Sequence, residues 1–116
     1  LDVSLRPEMG KAVNQAKTQL TELLESKREE LKLKASEVDP DFDITVPGTT
    51  FKGTPQQKWL QKHCWDYGFI IRYQEDKEAI TGFLAECWHI RYVGVQHSVV
   101  MRDKNLCLEE YLGETD

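Results

Sequence analysis

Hydrophobic positions divide the chain into three zones, of which the first predicts a long helix. Over residues 7–38, apolar side chains recur every three or four positions, with a polar gap at Lys27, which places them on one helical stripe. The stripe consists of Met9, Val13, Ala16, Leu20, Leu23, Leu31, Ala35 and Val38. Because its heptads are few and interrupted, we expect this helix to lie on its own domain rather than to pair with a partner helix.

The second zone, residues 39–53, is rich in Asp, Pro, Gly and Thr and predicts a loop or a short irregular connection. Asp39, Asp41 and Asp43 alternate along it, which is a pattern seen in some calcium sites. The glycine and the distal glutamate of an EF-hand loop are missing, however. The sequence therefore favours a loop without a calcium site.

The third zone predicts the most regular structure. Residues 54–57, Thr-Pro-Gln-Gln, have the form of a capping box, with Thr54 as the N-cap and Gln57 reaching back, and Gly68 is a natural end for the helix that follows. The remaining pattern predicts strands at 69–73 and 84–93, an exposed turn at 74–78, and short helices near 96–102 and 108–112. Helices segregated from a small antiparallel sheet make an α+β fold.

Composition limits the classes of function. The 116 residues form one domain at most, and the formal charge of -5 argues against a surface that neutralises nucleic-acid phosphates. No apolar run approaches the roughly 18 residues that a transmembrane helix needs. Cys64, Cys87 and Cys107 cannot all pair within one chain and have no C-x-x-C spacing, so we expect free thiols.

The segment Glu86-Cys87-Trp88-His89 is the candidate for chemistry. In a regular strand Glu86 and His89 would point to opposite faces, and they reach one site only if the strand bends near Glu86. Imidazole and carboxylate groups bind zinc, and a carboxylate that does not bind the metal can accept a proton from water. Because a single histidine in a strand is more often a satisfied polar group, spacing alone leaves both interpretations open.

Several linked segments carry a family resemblance. They are Tyr-Gly-Phe-Ile-Ile-Arg-Tyr at 67–73, Lys-Glu-Ala-Ile-Thr-Gly at 77–82, Glu-Cys-Trp-His-Ile-Arg-Tyr-Val-Gly at 86–94 and Leu-Glu-Glu-Tyr-Leu at 108–112. In this order they resemble the VanY-type D-alanyl-D-alanine carboxypeptidases, which are bacterial zinc peptidases with the Hedgehog/D,D-peptidase fold. The resemblance covers residues 53–113 and implies that the helix at 7–38 is an insertion.

The resemblance also implies roles for individual residues. In the family's E-x-W-H element, Glu86 would be the general base, His89 a zinc ligand, and Trp88 a candidate substrate contact. The opening Leu1-Asp2-Val3-Ser4 resembles the end of the family's S-x-H-x-x-G-x-A-x-D motif, which makes Asp2 a second zinc ligand. Cys87 stands where the family usually has proline, and it is either a bystander or a thiol that perturbs the site.

The histidine of that second motif would precede residue 1. We therefore expect residues 1–116 to be the C-terminal portion of a longer peptidase domain, with a separate N-terminal segment supplying the third zinc ligand. The implied activity is zinc-dependent hydrolysis of the terminal D-Ala-D-Ala bond in peptidoglycan stem peptides or precursors. The remaining histidines, His63 and His97, are expected to be structural.

Other functions remain open at this point. An L,D-carboxypeptidase or a D-Ala-D-Ala dipeptidase of the same family would share these motifs, and a non-catalytic binding module could retain the fold. An interaction domain built around the first helix is a further alternative. Peptidoglycan chemistry favours the bacterial cell envelope or the extracellular space, whereas three unpaired cysteines would also suit a precursor-trimming enzyme in the cytoplasm.

Overall fold

A small antiparallel sheet forms the centre of the molecule. The computed structural model describes residues 7–34, 37, 39–46 and 48–113. Within these residues, strands β1 (Asp41–Asp43), β2 (Phe69–Tyr73) and β3 (Glu86–Tyr92) form a sheet of order β1-β3-β2, with both pairings antiparallel. Because β3 is hydrogen-bonded on both sides, the positions of its side chains are fixed from two directions.

Helices surround this sheet, which confirms the predicted α+β class. The longer helices are α1 (Pro7–Lys34), α2 (Pro55–His63) and α4 (Val95–Lys104), the short ones are α3 (Glu78–Thr81) and α5 (Leu108–Gly113), and single 3₁₀ turns occupy Cys64–Tyr67 and Glu75–Lys77. In the part of the chain that the structure describes, no helix combines the length and the apolar character that crossing a bilayer requires.

The start of α2 follows the predicted capping pattern with one difference. The Thr54 hydroxyl accepts a hydrogen bond from the Gln57 N–H at 3.1 Å, which satisfies one of the free donors of the first turn. The Gln57 side chain reaches back as expected, but its Oε1 accepts from the N–H of Gly53 at 3.0 Å rather than from that of Thr54. The reciprocal bond therefore fixes the residue before the cap.

Gly68 follows the first 3₁₀ turn in the chain and is hydrogen-bonded to the residues just after β3. Its φ of 91° lies in the left-handed region, as a helix terminator requires, and its carbonyl accepts hydrogen bonds from Val93 (2.9 Å) and Gly94 (3.0 Å). A Cβ atom at this position would lie 2.8 Å from the Tyr92 ring and 3.0 Å from the backbone nitrogen of Val95. The corner therefore needs glycine both for its backbone and for the space.

α1 packs its apolar stripe against the domain, although the stripe differs from the predicted one. Leu24 is completely buried, whereas Leu23, which was predicted to face the core, is 41% exposed. The prediction was wrong because the inward face continues from Leu20 by a step of four residues instead of three. Lys27, in the predicted polar gap, lies over the ring of Phe42 at 5.3 Å. Ala35 and Val38 lie outside the described residues.

Two further predictions are corrected. The zone at 39–53 contains strand β1, because pairing with β3 and an edge-on contact between Phe42 and Phe69 (centroids 5.7 Å apart) outweigh the low strand propensity of aspartate. The predicted exposed turn at 74–78 instead contains a 3₁₀ turn that leads into α3. In it Lys77 is buried, since its ammonium group pairs with the Glu110 carboxylate at 2.8 Å.

Candidate active site

The candidate site begins with an irregularity in the pairing of β2 and β3. Ile71 pairs with Ile90, but Tyr73 pairs with Glu86. Between these two pairs β2 moves along by two residues and β3 by four, so β3 contains two extra residues. Extra residues in one strand bend it and redirect its side chains, as in a β-bulge. This irregularity is the bend near Glu86 that the sequence required.

The bend brings Glu86 and His89 together. The Glu86 Oε1 atom lies 3.1 Å from the His89 Nδ1 atom, within hydrogen-bond distance. The simple alternation of a strand would have put the two residues on opposite faces, with Cys87 beside His89. Glu86 therefore joins the face of His89, while Cys87 packs against the core together with Trp88.

Asp41 of β1 holds the other side of the imidazole. Its Oδ2 atom lies 2.9 Å from the His89 Nε2 atom, and its Oδ1 atom accepts a hydrogen bond from Arg91, the residue with which Asp41 pairs in the sheet. Asp43 lies farther away, with Oδ1 4.0 Å from Nδ1. Sequence reasoning missed Asp41 because it treated this segment as a loop. The alternating aspartates were the available signal, since they share one face of a strand.

The two carboxylates determine the protonation behaviour of His89. Partial burial lowers the pKa of the imidazole, but the hydrogen bonds to Asp41 and Glu86 outweigh burial and raise the pKa above its ordinary value. A neutral imidazole donates from one nitrogen and accepts at the other. When Nε2–H donates to Asp41, the lone pair of Nδ1 is left on the side of Glu86.

Aromatic side chains form a wall beside His89. The Tyr73 ring meets the imidazole edge-on, with centroids 5.1 Å apart and an interplanar angle of 89°. Tyr73 has two further contacts. Its ring centroid lies 4.8 Å from that of Phe83, and the Arg72 guanidinium lies over the Tyr73 ring, 4.6 Å from its centroid. Tyr73 is therefore held between three neighbours, of which one is the candidate metal ligand.

An open cleft of about 730 Å³ borders this wall. Trp88, the candidate substrate contact, is half-buried and lines the cleft, as do Cys87 and Tyr73. Tyr73 thus both lines the cleft and contacts His89. Burial raises the pKa of the Cys87 thiol, so this thiol is protonated at neutral pH.

The other residues singled out by the sequence lie elsewhere. Asp2 and the rest of residues 1–6 are outside the described residues, and within residues 7–34, 37, 39–46 and 48–113 no group of three His, Cys, Asp or Glu side chains is arranged to hold a metal ion. His63 stacks on Trp59 with centroids 5.1 Å apart, and the Nδ1 atom of His97 lies 2.8 Å from the Tyr111 hydroxyl. Both histidines have structural partners.

Comparison with known proteins identifies the family. The sequence pattern of the VanY family, described as D-alanyl-D-alanine carboxypeptidase, matches residues 10–95. A D-alanyl-D-alanine carboxypeptidase from Enterococcus faecium is 52% identical over 71 residues, which are 61% of this chain and 23% of that protein. The chain therefore spans about a quarter of the length of this curated relative.

Solved structures are similar to the same region. One is a mutant of the vancomycin-resistance D,D-pentapeptidase VanY from a VanB-type resistance cassette, in complex with Zn(II). Its TM-score is 0.58 at 32% identity, and the match covers 80% of this chain and 64% of that one. Another is the LD-carboxypeptidase LdcB, with a TM-score of 0.61, 26% identity, and coverage of 88% and 67%. The chain belongs to the VanY family of D-alanyl-D-alanine carboxypeptidases and has the Hedgehog/D,D-peptidase fold.

Proposed function

We propose that this chain forms the part of a zinc-dependent D,D-carboxypeptidase site that carries the general base and one metal ligand. The reaction is hydrolysis of the terminal D-Ala-D-Ala bond of peptidoglycan stem peptides or precursors. The observation that carries the proposal is the 3.1 Å approach of the Glu86 carboxylate to the His89 imidazole at the bend of β3. Membership of the VanY family supports the reaction class.

The hydrogen bond on the Nε2 atom of His89 resembles the arrangement of zinc-binding histidines. An imidazole whose second nitrogen is hydrogen-bonded to a carboxylate is a common arrangement for zinc ligands, because the carboxylate fixes the tautomer and the orientation of the ring. Asp41 makes this contact on Nε2. His89 would hold the metal together with Asp2 and a histidine from an N-terminal segment. When bound, zinc supplies a Lewis acid that polarises the scissile carbonyl and acidifies water.

Glu86 moves the proton. Its carboxylate accepts a proton from the attacking water and delivers it to the amine of the departing D-alanine. Arg91 engages the Oδ1 atom of Asp41, so that Oδ2 remains directed at His89. Trp88 provides an apolar surface in the neighbouring cleft against which a peptide can pack.

A second activity, cleavage of an L,D bond, is favoured by the similarity to LdcB, which is an LD-carboxypeptidase with the higher of the two TM-scores. The two activities use the same base and ligand, and the shape of the pocket distinguishes them. Given this substrate class, we expect either enzyme to work in the bacterial cell envelope or the extracellular space, or in the cytoplasm if soluble precursors are cleaved.

The proposal is tested by metal analysis and a substrate panel, using this chain with and without its upstream segment. We expect one zinc ion per chain and release of D-alanine from a pentapeptide that ends in D-Ala-D-Ala when the upstream segment is present. A tetrapeptide with a terminal L,D bond and free D-Ala-D-Ala test the alternative activities. Zinc binding without any release would instead indicate a binding module.

Two histidine variants supply the control. His89→Gln is expected to lower zinc affinity, whereas His63→Gln, which alters a ring stacked on Trp59 in α2, should leave zinc affinity unchanged. Equal zinc affinity in wild type and His89→Gln would contradict the assignment of His89 as a ligand.

A further inference from the structure

The C-terminal helix α5 is attached to the rest of the domain by two ion pairs. Arg72 of β2 donates two hydrogen bonds to Glu109, at 2.9 and 2.8 Å, and these side chains are 13% and 34% exposed. Lys77 pairs with Glu110 at 2.8 Å, with side chains 11% and 26% exposed. The pairs are adjacent in α5 and similar in exposure, but they contact different parts of the domain.

The first pair leads to the candidate site through contacts between described residues. The Arg72 guanidinium lies over the Tyr73 ring at 4.6 Å, and the same ring packs edge-on against His89. Tyr73 also pairs through its backbone with Glu86. A continuous series of contacts thus runs from Glu109 through Arg72 and Tyr73 to His89.

The geometry of the Arg72–Glu109 pair makes it a rigid support. A guanidinium that forms two parallel hydrogen bonds to one carboxylate is fixed in its plane as well as in its position. Hydrogen bonds from Arg72 hold the pKa of the Glu109 carboxyl below its ordinary value, so the pair stays ionised at neutral pH. A fixed guanidinium plane restricts the rotation of the tyrosine ring beneath it, and the ring in turn restricts the imidazole.

We propose that Glu109 is a positioning residue, which fixes the orientation of the His89 ring through Arg72 and Tyr73. The C-terminal helix therefore takes part in setting the geometry of the metal ligand, although it contributes no group to the site itself. The consequence for zinc affinity rests on the proposed function of His89, whereas the consequence for the imidazole holds without any metal.

The test uses the metal-free chain of residues 1–116, labelled with ¹⁵N. Long-range ¹H–¹⁵N spectra resolve the ring signals of the three histidines, and His89→Gln assigns those of His89. In Glu109→Gln the amide group cannot accept both hydrogen bonds from Arg72. We expect the His89 ring signals to shift and broaden, while those of His63 stay in place.

Glu110→Gln is the matched control, because it weakens the other ion pair of the same helix. We expect similar losses of unfolding midpoint in both variants, but a change in the His89 ring signals in Glu109→Gln alone. Arg72→Lys keeps the charge and loses the planar pair, so it should reproduce the effect of Glu109→Gln, and the double variant should add little. Unchanged His89 signals in Glu109→Gln, or equal changes in both glutamate variants, would overturn the proposal.

Zinc affinity provides a separate measurement, made by competition with a chelator on the chain with its upstream segment. Loss of a residue that contacts a ligand directly lowers metal affinity roughly 10–100-fold, and a more distant support should cost about threefold to tenfold. Shifted His89 signals with no zinc binding in any variant would support the positioning role and contradict the proposed function. Tight zinc binding that is equal in wild type and Glu109→Gln would contradict the positioning role alone.

Discussion

The two halves of β3 differ in their pairing with β2. From Ile90 to Tyr92 the strand pairs in regular register with β1 and β2, and Ile90 is completely buried. From Glu86 to His89 the register with β2 shifts. In both halves, the side chains other than that of Ile90 are partly buried. The regular half holds the strand in the core, and the irregular half turns polar side chains toward one another.

This difference shows how one short strand can be both a structural and a chemical element. A regular strand would place Glu86 and His89 on opposite faces, so the bend is what allows their contact. A bend in an unsupported strand would not hold its side chains in place. The regular half, which contains the buried Ile90, provides the support, and we expect variants in the two halves to have separable effects on turnover and on stability.

The largest expected effect is the loss of turnover in Glu86→Gln. General acid–base groups typically contribute about 10²–10⁴-fold to rate, and the amide cannot take the proton from water. We expect D-alanine release to fall by that factor, with the urea unfolding midpoint nearly unchanged. Glu29→Gln, which alters an exposed carboxylate of α1 paired with Lys32, serves as the control and should retain full activity. Normal turnover in Glu86→Gln would end the assignment of the base.

In the regular half, Ile90→Ala should lower the free energy of unfolding. Removing a completely buried isoleucine side chain costs the transfer free energy and leaves a cavity, about 2–5 kcal/mol in the free energy of unfolding. Urea denaturation measures this loss. Leu33→Ala provides the comparison, because Leu33 is 82% exposed and should change stability by no more than about 0.5 kcal/mol. Equal losses in both variants would contradict the assigned core.

Gly68→Ala should damage the corner at the end of the regular half. The new methyl group would enter a left-handed backbone conformation and would also meet the Tyr92 ring and the backbone of Val95, so we expect a loss of about 2–4 kcal/mol. Gly82→Ala has a similar φ of 78° but no neighbour within 4 Å, and should lose only about 1–2 kcal/mol. Thermal unfolding of the two variants separates backbone strain from crowding.

The smallest expected effect is the pH dependence of stability that His89, in the irregular half, contributes. Because the pKa of His89 is raised in the folded state, the stability it contributes is fully present below the unfolded pKa of about 6.5 and is lost as pH rises through the folded pKa. The metal-free chain should therefore lose this contribution as the pH rises above about 6.5. Asp41→Asn should reduce the loss and lower the pKa of His89 in an NMR titration. Asp103→Asn, which affects a carboxylate bonded to Arg102, should change neither quantity.

Local signals explain what the sequence could predict. The Thr54 cap, the end of the helical region at Gly68 and the strand over residues 69–73 depend on residues close to one another in the chain, and all were found where expected. The contact of Glu86 with His89 was predicted only on condition of a bend. That bend arises from pairing with β2, which periodicity within one strand does not encode.

Asp41 shows why the rest of the site escaped prediction. It contacts His89 across 48 positions of sequence, and aspartate is depleted in strands, so local propensity argued against the observed structure. The buried face of α1 contains Leu24 rather than the predicted Leu23 for the same reason. The surface against which α1 packs decides which side of the helix faces inward, and that surface is distant in sequence. The zinc-ligand role of Asp2 stays a prediction.

The short strand β1 has one more consequence, for association between molecules. It lies at the edge of the sheet, and edge strands expose backbone groups that can pair with another chain. With three residues, β1 offers little length for such pairing, and the exposed carboxylate of Asp43 repels a second copy of the same edge. The shortness of β1 thus helps to keep the protein from aggregating through this edge of its sheet.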